Sequence, residues 1–305
     1  MHFYTHPACL LHDTGAGHAE RPARLETVLA ALKEAFPAIA WSEAPRATRG
    51  QLSRVHDDGL LRLVLDTPVT HGAIALDPDT VLSKDSAEAA LRAAGAGVAA
   101  VDAVIAATQA PRAFCAVRPP GHHATPSLAM GFCLFNSIAV AAAHALDAHG
   151  LSRVAIVDFD VHHGNGTQAI FGGDPRVLYA SSHQMPLYPD TGYANERGVG
   201  NVVNAPLRAG AGGKDFREAW TQVLLPAIAA FRPQLLLVSA GFDAHRLDPL
   251  AQLQLEADDY AWLTGQLVTL AERHTQGRIV SMLEGGYDLA ALRECSVAHV
   301  AALIG

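Results

Sequence analysis

A β-branched apolar run, Val154–Val157, leads without interruption into two aspartates, two histidines and a glycine turn at 158–166. This pattern is typical of a strand that ends in a polar site. On an extended chain alternate side chains point to one face, so Asp158, Asp160 and His162 are expected on the same face, about 6–7 Å between neighbours. Two of them could therefore reach one metal ion. Alternatively, the aspartates could hydrogen-bond the turn that follows.

Two other strand-like runs end in comparable clusters. Leu235–Val238 leads to Asp243, and Phe114–Val117 leads to a Pro-Pro-Gly turn followed by His122 and His123. In open α/β sheets, ligands bind outside the carboxyl ends of the strands. We therefore expect the three clusters to line one crevice.

Asp160, His162 and Asp243 are a plausible set of three metal ligands in that crevice. One imidazole and two carboxylates suit Zn²⁺ and leave positions open for water and substrate. The same set would hold Fe²⁺ or Co²⁺. Such an ion polarises a carbonyl and makes hydroxide available near neutral pH. The pattern indicates hydrolysis without a covalent intermediate.

Strand-like and helical patterns alternate along the chain, which predicts βαβ connections and a mostly parallel sheet. Strands are expected at His2–Thr5, Ala113–Val117, Arg153–Phe159, Arg176–Ala180, Val202–Asn204, Leu235–Ser239 and Ile279–Leu283. Helices are expected at about 21–36, 52–65, 86–108, 136–149, 213–231, 256–274 and 287–303. No linker interrupts the 305 residues, so we expect a single domain, 1–305.

Charge and composition argue against several classes of function. The formal net charge is −8, and nucleic-acid binding rests largely on basic contacts to phosphates. The alanine-rich stretch 86–110 contains Glu88, Arg92 and Asp102, so it is expected to be an amphipathic or buried helix and not a membrane span. The amino terminus shows no export signal. Four cysteines without close pairing fit a reducing compartment, and we expect a cytoplasmic protein.

Five motifs together carry a family resemblance. They are RPPGHH at 118–123, GFCLFN at 131–136, DFDVHHGNG at 158–166, SAGFDAH at 239–245 and LEGGYDL at 283–289. Their combination and order resemble the histone deacetylase family, closer to its class II branch than to class I, from about His18 to Tyr287. The resemblance implies the arginase/deacetylase fold, a three-layer α/β structure with a mostly parallel central sheet, helices on both faces and the active site in loops at the carboxyl ends of the strands.

The resemblance also implies roles for the catalytic residues. His122 and His123 are expected beside the reacting water, with Asp158 behind His122 and Asn165 behind His123. An anionic partner favours an imidazolium, whereas a neutral amide does not. We therefore assign His123 as general base and then general acid, and His122 as a mostly cationic electrostatic element. Tyr287 is expected to donate a hydrogen bond to the scissile amide oxygen and to stabilise the oxyanion.

The resemblance extends to ions and to an internal cavity. Asp160, His162 and Asp243 are the ligands of the catalytic metal in the family. A structural K⁺ is held by the main-chain carbonyls matching Asp158, Asp160, His162 and Ser182, together with the Asp158 carboxylate and the Ser181 hydroxyl. The arginine matching Arg24 lines a cavity through which acetate leaves, although Arg24 could also be a helix-surface residue.

A substrate tunnel is expected from the same resemblance. Gly131 and Phe132 belong to the GFCLFN motif that borders the tunnel. Phe132 and Tyr188 are expected to form the facing walls of the tunnel, and Leu250 is expected at its rim. Class II members more often have phenylalanine at the position of Tyr188. A narrow apolar slot suits the extended alkyl chain of an acylated lysine or polyamine. The expected partner is thus the acylated lysine side chain of a protein, peptide or small molecule.

The prediction is a zinc-dependent deacylase of ε-N-acyl-lysine, with three alternatives. An acetylpolyamine amidohydrolase would share every catalytic residue, but Leu250 stands where the polyamine-specific member of the class has glutamate. An arginase-type ureohydrolase is suggested by Asp243 followed by Asp248-Pro249, but His245 stands where a bridging aspartate is expected. A catalytically inactive acyl-lysine binding module would lack at least one of the expected site residues, and none is missing from the sequence. The physiological substrate, the acyl-chain preference and the oligomeric state stay open.

Overall fold

The computed structural model describes residues 1–109 and 111–305. The strands among these residues are β1 (His2–Thr5), β2 (Trp41–Glu43), β3 (Ala73–Ala75), β4 (Val81–Ser83), β5 (Arg112–Cys115), β6 (Val154–Asp158), β7 (Val177–Gln184), β8 (Val202–Leu207), β9 (Leu235–Ala240) and β10 (Ile279–Leu283). The helices are α1 (Ala8–Leu11), α2 (Pro22–Ala35), α3 (Arg49–Leu52), α4 (Asp58–Leu65), α5 (Ser86–Ala106), α6 (Ser137–Asp147), α7 (Asn165–Phe171), α8 (Gly213–Ala219), α9 (Leu225–Phe231), α10 (Ala257–His274) and α11 (Leu289–Ile304).

Eight strands form one sheet in the order β2-β1-β5-β10-β9-β6-β7-β8. All of its pairings are parallel, whereas β3 and β4 form a separate antiparallel hairpin. Every residue of β6, β9 and β10 is buried. The sequences of these strands are nearly continuous apolar runs because helices cover both faces of a parallel sheet.

Two groups of helices flank the sheet. Helices α5 and α6 pack on each other, and they contact β1, β5, β10, β6 and β9. Helices α2, α10 and α11 form the second group, in which α11 packs against both α2 and α10 and also contacts β5. The predicted three-layer α/β fold is confirmed.

The structure differs from the sequence prediction at several element boundaries. The predicted helix 52–65 begins only at Asp58 in the structure, as α4, because the Asp57 side chain caps it by accepting a hydrogen bond from the Leu60 N–H; the separate helix α3 ends at Leu52. The predicted helix 213–231 contains a π-helical turn just before α9, whose first turn holds Pro226, which has no N–H to donate. Strand β2, the β3–β4 hairpin and the short helices α1 and α7 were not predicted. The predicted helix 86–108 is also two residues shorter in the structure, since α5 ends at Ala106.

Helix α5 is long and apolar enough to cross a membrane by length and composition. However, 61 % of its most apolar window is buried inside the protein. The helix packs against α6, β1 and β5. It is therefore the buried helix that the sequence predicts.

Four neighbouring strands carry the polar clusters. Strands β5, β10, β9 and β6 are adjacent in the middle of the sheet and run parallel. The segments that follow them bear the histidine pair at 122–123, Tyr287, Asp243, and Asp160 with His162. Since the carboxyl ends of parallel strands meet at one edge, these segments come together there.

Candidate active site

Asp160, His162 and Asp243 form a compact group of possible metal ligands. One ligand atom from each lies within 4.8 Å of the others. His162 Nδ1 is 3.2 Å from Asp160 Oδ1 and 3.2 Å from Asp243 Oδ2. All three residues are buried. The only ion-pair contacts found for these two carboxylates among the described residues are with histidines.

The negative charge of the two buried carboxylates favours binding of a cation. Burial, and then the neighbouring Asp160, raise the pKa of the Asp243 carboxyl to about 7. Burial alone would lower the pKa of His162, but its hydrogen bonds to Asp160 and Asp243 outweigh burial and raise that pKa to about 10. Two buried carboxylates thus compete for one positive charge. Because the donor set matches that of a catalytic zinc site, these residues fit a divalent metal ion.

The ligands do not reach this arrangement on an extended strand. Strand β6 ends at Asp158, and the chain turns, with the Asp160 N–H donating to Asp158 Oδ1 at 3.2 Å. The Asp158 side chain faces His122 and Tyr179, not the ligand group. The expectation that Asp158, Asp160 and His162 share one strand face is therefore wrong, because the regular strand stops at the first of them.

Backbone groups orient the outer oxygens of the two carboxylates. Gly285 N donates to Asp160 Oδ2 at 2.8 Å, and Val161 N donates to Asp243 Oδ1 at 2.8 Å. A Cβ atom at position 285 would lie 2.1 Å from Asp243 Oδ2 and 2.6 Å from Asp160 Oδ2. Only glycine allows this close approach. Such contacts fix the orientation of metal-binding side chains.

The two neighbouring histidines have different partners, as the resemblance implies. His122 Nδ1 lies 3.0 Å from Asp158 Oδ2, and His123 Nδ1 lies 2.8 Å from Asn165 Oδ1. Burial would lower the pKa of His122, but the carboxylates of Asp160 and Asp158 outweigh it and raise that pKa to about 10. Burial, and then the cationic neighbours, hold the pKa of His123 well below its ordinary value. The surroundings therefore favour a protonated His122 and a neutral His123.

Glu284, which sequence reasoning missed, anchors the histidine loop. Its Oε2 accepts the N–H groups of Gly121 at 2.6 Å and His122 at 3.2 Å, and its Oε1 accepts the Ser239 hydroxyl at 3.0 Å. Burial raises the pKa of Glu284 to about 7. The sequence feature that could have identified Glu284 is its position directly after the apolar run of β10.

A cavity of about 240 Å³ opens beside the ligand group. It is lined by Asp79, His123, Gly131, Phe132, His162, Leu187, Tyr188, Leu250 and Tyr287. The four residues predicted for the tunnel are thus all brought together here, next to one possible metal ligand. The Tyr188 ring centroid is 5.2 Å from that of His123 and 6.4 Å from that of His162, and the residue is 40 % exposed, so its ring extends toward solvent.

The turn at 131–132 places the Phe132 ring on the wall of the cavity. Gly131 has φ +56°, and a Cβ atom there would lie 2.4 Å from His123 Cδ2. Phe132 has φ +67°, a left-handed conformation that is uncommon for a residue with a side chain. Its N–H donates to Thr80 Oγ1 at 2.9 Å, and its ring lies 4.9 Å from that of His18. These contacts hold the ring in place.

Asp79 and Leu187 were not singled out from the sequence, yet both line the cavity. Asp79 lies in the turn between β3 and β4, a region for which the sequence predicts no element. Burial and then Asp77 raise the pKa of Asp79 to about 6. Asp79 is the acidic residue among those that line the cavity. A carboxylate in a Pro- and Asp-rich turn gave no signal by itself, because such residues are ordinary turn formers.

Arg24 lies inside the protein and not on a helix surface. Its Nε donates to the Gly286 carbonyl at 2.5 Å, its Nη2 to the Glu284 carbonyl at 2.5 Å and its Nη1 to Glu20 Oε1 at 2.9 Å. The guanidinium carbon is 4.8 Å from the centre of the Tyr287 ring. Burial raises the pKa of Tyr287 well above its ordinary value, so its hydroxyl stays protonated and can donate.

The residues assigned to K⁺ also lie together. Asp158 pairs with Ser181 in the register of β6 and β7, and Ser182 is the next residue. All three are buried. The Ser181 hydroxyl is 2.9 Å from His183 Nδ1, and Trp220 Nε1 donates to Ser182 Oγ at 3.0 Å.

The residues that suggested a ureohydrolase do not add ligands to the site. Asp248 Oδ2 accepts the Tyr287 N–H at 2.7 Å, and its Oδ1 accepts the Leu250 N–H at 3.0 Å. Asp248 thus anchors two backbone segments that border the cavity. His245 Nε2 lies 3.3 Å from Glu256 and is not part of the ligand group. A site for two metal ions would need such additional ligands.

Comparisons with known proteins agree with this arrangement. The family model for the histone deacetylase domain matches residues 18–303. A histone deacetylase-like amidohydrolase of Pseudomonas aeruginosa is 41 % identical over 299 residues, covering 95 % of this chain and 78 % of that protein. The human protein named polyamine deacetylase HDAC10 is 38 % identical over 319 residues, covering 97 % of this chain and 46 % of that protein.

A solved structure, the crystal structure of the HDA15 HD domain, superposes with a TM-score of 0.93 and 38 % identity. That match covers 100 % of this chain and 88 % of the solved chain. The similarity therefore includes the sheet, both helical layers and the loops that build the site. With the family model matching nearly the whole sequence as well, this chain belongs to the histone deacetylase family of hydrolases.

Proposed function

We propose that this protein is a zinc-dependent amidohydrolase that removes acetyl or related acyl groups from the ε-amino group of lysine. The observation that carries the proposal is the convergence of Asp160, His162 and Asp243, with ligand atoms within 4.8 Å of one another, beside a cavity that His123 and Tyr287 also line. A cation site, a neutral imidazole and a hydroxyl donor are together what hydrolysis of an unactivated amide requires.

The residues present fit Zn²⁺, and Fe²⁺ or Co²⁺ suit the same donors. When bound, the ion supplies Lewis acidity toward the amide carbonyl and lowers the pKa of water. Asp160, His162 and Asp243 would hold it. The backbone donors at Val161 and Gly285 keep the two carboxylates oriented for that task.

His123 is the proton carrier in this proposal. Asn165 Oδ1 accepts from His123 Nδ1, which leaves Nε2 with a free lone pair. His123 Nε2 takes the proton of the attacking water and later gives it to the leaving amine. His122, paired with Asp158, is already protonated and therefore contributes positive charge instead of accepting a proton.

Tyr287 stabilises the oxyanion. Its protonated hydroxyl donates to the amide oxygen as negative charge develops there, and one such donor is typically worth ~10²–10³ in kcat. The guanidinium of Arg24 holds the Gly286 carbonyl and lies against the Tyr287 ring, so it positions the donor. We also propose that acetate leaves past Arg24.

The substrate proposal rests on the cavity wall. Phe132 and Tyr188 offer aromatic faces to an extended alkyl chain, and Leu250 adds an apolar side chain. An acyl-lysine side chain is long, narrow and uncharged, so this lining suits it. The lysine belongs to a protein, a peptide or a small molecule.

An acetylpolyamine is the second candidate substrate. Asp79 supports it, because its carboxylate lines the same cavity and could attract the additional ammonium of a polyamine. A relative named polyamine deacetylase is 38 % identical. Leu250 favours acyl-lysine, since it offers no charge at the position where a polyamine enzyme has glutamate.

The decisive experiment compares kcat/KM for acetyl-lysine peptides, longer acyl-lysine peptides and N-acetylputrescine under one metal condition. We expect an acyl-lysine peptide to be the best substrate. A preference for N-acetylputrescine would make the polyamine the better assignment. Binding of acyl-lysine without any turnover in the metal-loaded protein would instead support the inactive binding module.

We further propose that a structural K⁺ is held by the main-chain carbonyls of Asp158, Asp160, His162 and Ser182, with the Asp158 carboxylate and the Ser181 hydroxyl. We also propose that the protein acts in the cytoplasm. Asp158 and Ser181 are register partners in the neighbouring strands β6 and β7, and both are buried, which suits a structural cation with oxygen ligands. Replacing K⁺ by a bulky organic cation in the buffer should lower both thermal stability and activity. Full retention of both would contradict the K⁺ proposal.

A further inference from the structure

A second group of metal-ligating side chains lies where α5, α6 and the loop after α6 meet. Asp102 is on α5, His144 is in the last turn of α6, and His149 lies two residues beyond that helix. The Nε2 atoms of His144 and His149 are 2.7 Å and 2.6 Å from the same atom, Asp102 Oδ1. Their rings meet at 85°, so they approach the carboxylate from different directions.

This group is separate from the active-site cavity. Helix α6 begins at Ser137, directly after the GFCLFN segment that borders the cavity, and His144 lies seven residues further along. That spacing is about 10 Å along the helix axis. The chain then passes His149 and enters the amino end of β6. The group therefore lies toward the amino ends of the strands, opposite the active-site edge.

The donor types and their exposure suit a transition-metal ion. Two imidazoles and a carboxylate are ligands that Zn²⁺, Co²⁺, Ni²⁺ and Cu²⁺ accept, whereas Mg²⁺ prefers oxygen ligands. The side chain of His144 is 9 % exposed, which fixes one ligand, while those of His149 and Asp102 are 25 % and 54 % exposed. An ion can therefore enter from solvent and keep a water ligand.

The observed geometry is close to that of a loaded site. Donor atoms around tetrahedral Zn²⁺ lie about 3.3 Å apart, given metal–ligand bonds of about 2.0–2.1 Å. The observed contacts of 2.7 Å and 2.6 Å must open by about 0.6–0.7 Å. Asp102 and His149 can make this small adjustment because they are partly exposed.

We propose that Asp102, His144 and His149 form a peripheral site for Zn²⁺ or a similar divalent transition metal, which ties α5 to α6 away from the catalytic centre. This goes beyond the proposed deacylase activity and does not depend on it.

Arg54 opposes metal binding at this site. Its Nη1 lies 3.3 Å from His144 Nδ1, and its Nε lies 3.2 Å from Asp147 Oδ2. Without metal, His144 Nδ1 accepts from Arg54 while Nε2–H donates to Asp102. Ligation through Nε2 moves that proton to Nδ1, so the ring keeps it, and Arg54 must then turn to Asp147 alone. Replacing Arg54 by glutamine removes the charge and supplies an oxygen that can accept the Nδ1–H.

The test titrates Zn²⁺ into apo-protein and follows heat and the bound metal by elemental analysis. We expect two equivalents in the wild type. Asp102→Asn and His149→Ala should each lose one equivalent or bind it at least tenfold more weakly. His71→Ala, which removes an exposed histidine elsewhere, should keep both. Arg54→Gln should bind the second equivalent several-fold more tightly.

The catalytic proposal is tested separately by Asp243→Asn, which should lose the other equivalent and the activity while keeping the peripheral ion. If the catalytic centre takes no zinc, one equivalent should remain that still depends on Asp102 and His149. Equal uptake by the wild type and His149→Ala would overturn the peripheral site. So would unchanged or weaker binding by Arg54→Gln, or Mg²⁺ binding there as tightly as Zn²⁺.

Discussion

The imidazole of His122 and the carboxylate of Asp158 form a buried pair, with Nδ1 3.0 Å from Oδ2. Tyr179 donates to the same carboxylate oxygen at 3.0 Å, so the pair is held on both sides. The neighbouring ring of His123 has its centroid 4.0 Å away, and its Nδ1 lies 2.8 Å from the neutral amide oxygen of Asn165 instead of a carboxylate. The different partners favour a protonated imidazole at His122 and a neutral one at His123.

The first prediction follows from that difference. His123→Ala should lower kcat/KM at least as much as His122→Ala, because only the neutral ring can accept a proton. The pH–rate profiles of the two variants should also differ on the limb that reports the base. Steady-state kinetics across the pH range measures both. An inactive His122→Ala together with an active His123→Ala would reverse the two roles.

Tyr287→Phe should lower kcat by ~10²–10³ while KM stays near that of the wild type, because the hydroxyl acts on the developing oxyanion. Michaelis–Menten kinetics on an acetyl-lysine peptide separates the two parameters. Tyr193→Phe is a matched control, since Tyr193 is 47 % exposed and does not line the cavity. An unchanged kcat for Tyr287→Phe would place this residue outside the reaction.

Removal of metal should abolish amide hydrolysis, because Asp160, His162 and Asp243 would then hold no cation to activate water. Zn²⁺ should restore activity, and Co²⁺ or Fe²⁺ are expected to do so too. The measurement is turnover after chelation and after stepwise addition of each ion. Full turnover in protein shown by elemental analysis to lack metal would contradict this mechanism.

Leu250→Glu should shift the ratio of kcat/KM values toward N-acetylspermidine and away from an acetyl-lysine peptide. A tenfold shift corresponds to about 1.4 kcal/mol of added attraction for the second ammonium. Leu247→Glu adds the same charge to a leucine that is 45 % exposed and does not line the cavity, so it should leave the ratio unchanged. A wild type that already prefers the polyamine by a wide margin would refute the role of Leu250.

Glu20 should contribute strongly to stability. It accepts from Arg118 Nη2 at 2.7 Å and from Arg24 Nη1 at 2.9 Å, and all three residues are fully buried. Burial opposes ionisation, but the two arginines outweigh it and lower the pKa of Glu20 to about 2. Glu20→Gln should therefore cost about 3–5 kcal/mol at neutral pH, because it leaves buried guanidinium groups without their carboxylate.

The pH dependence of this loss has a definite sign. The folded-state pKa lies below the ordinary value of 4.5, so the contribution is complete above pH 4.5 and declines as pH falls toward 2. Urea unfolding of the wild type, Glu20→Gln and the exposed control Glu26→Gln at several pH values measures it. A difference between wild type and Glu20→Gln that stays constant down to pH 3 would contradict the prediction.

The sequence by itself determined the α/β class, the central strands and which polar residues come together at the carboxyl edge of the sheet. Continuous apolar runs mark strands buried on both faces, and such runs are local properties of the chain. Because each run ends in a distinctive cluster, local patterns were sufficient to predict the convergence of Asp160, His162 and Asp243. The family motifs added the partners of His122 and His123, which the fold places within hydrogen-bonding distance.

Only the tertiary structure decided how the site is held. Glu284 reaches Gly121 across 163 residues of sequence, and Arg24 reaches Gly286 across 262. No local pattern encodes such contacts, because they depend on which strands become neighbours and on how deeply each side chain is buried. The same holds for Asp79, whose turn-forming composition gave no hint of a cavity wall. Local periodicity specifies the elements, whereas burial and long-range pairing specify the charges and orientations on which the chemistry depends.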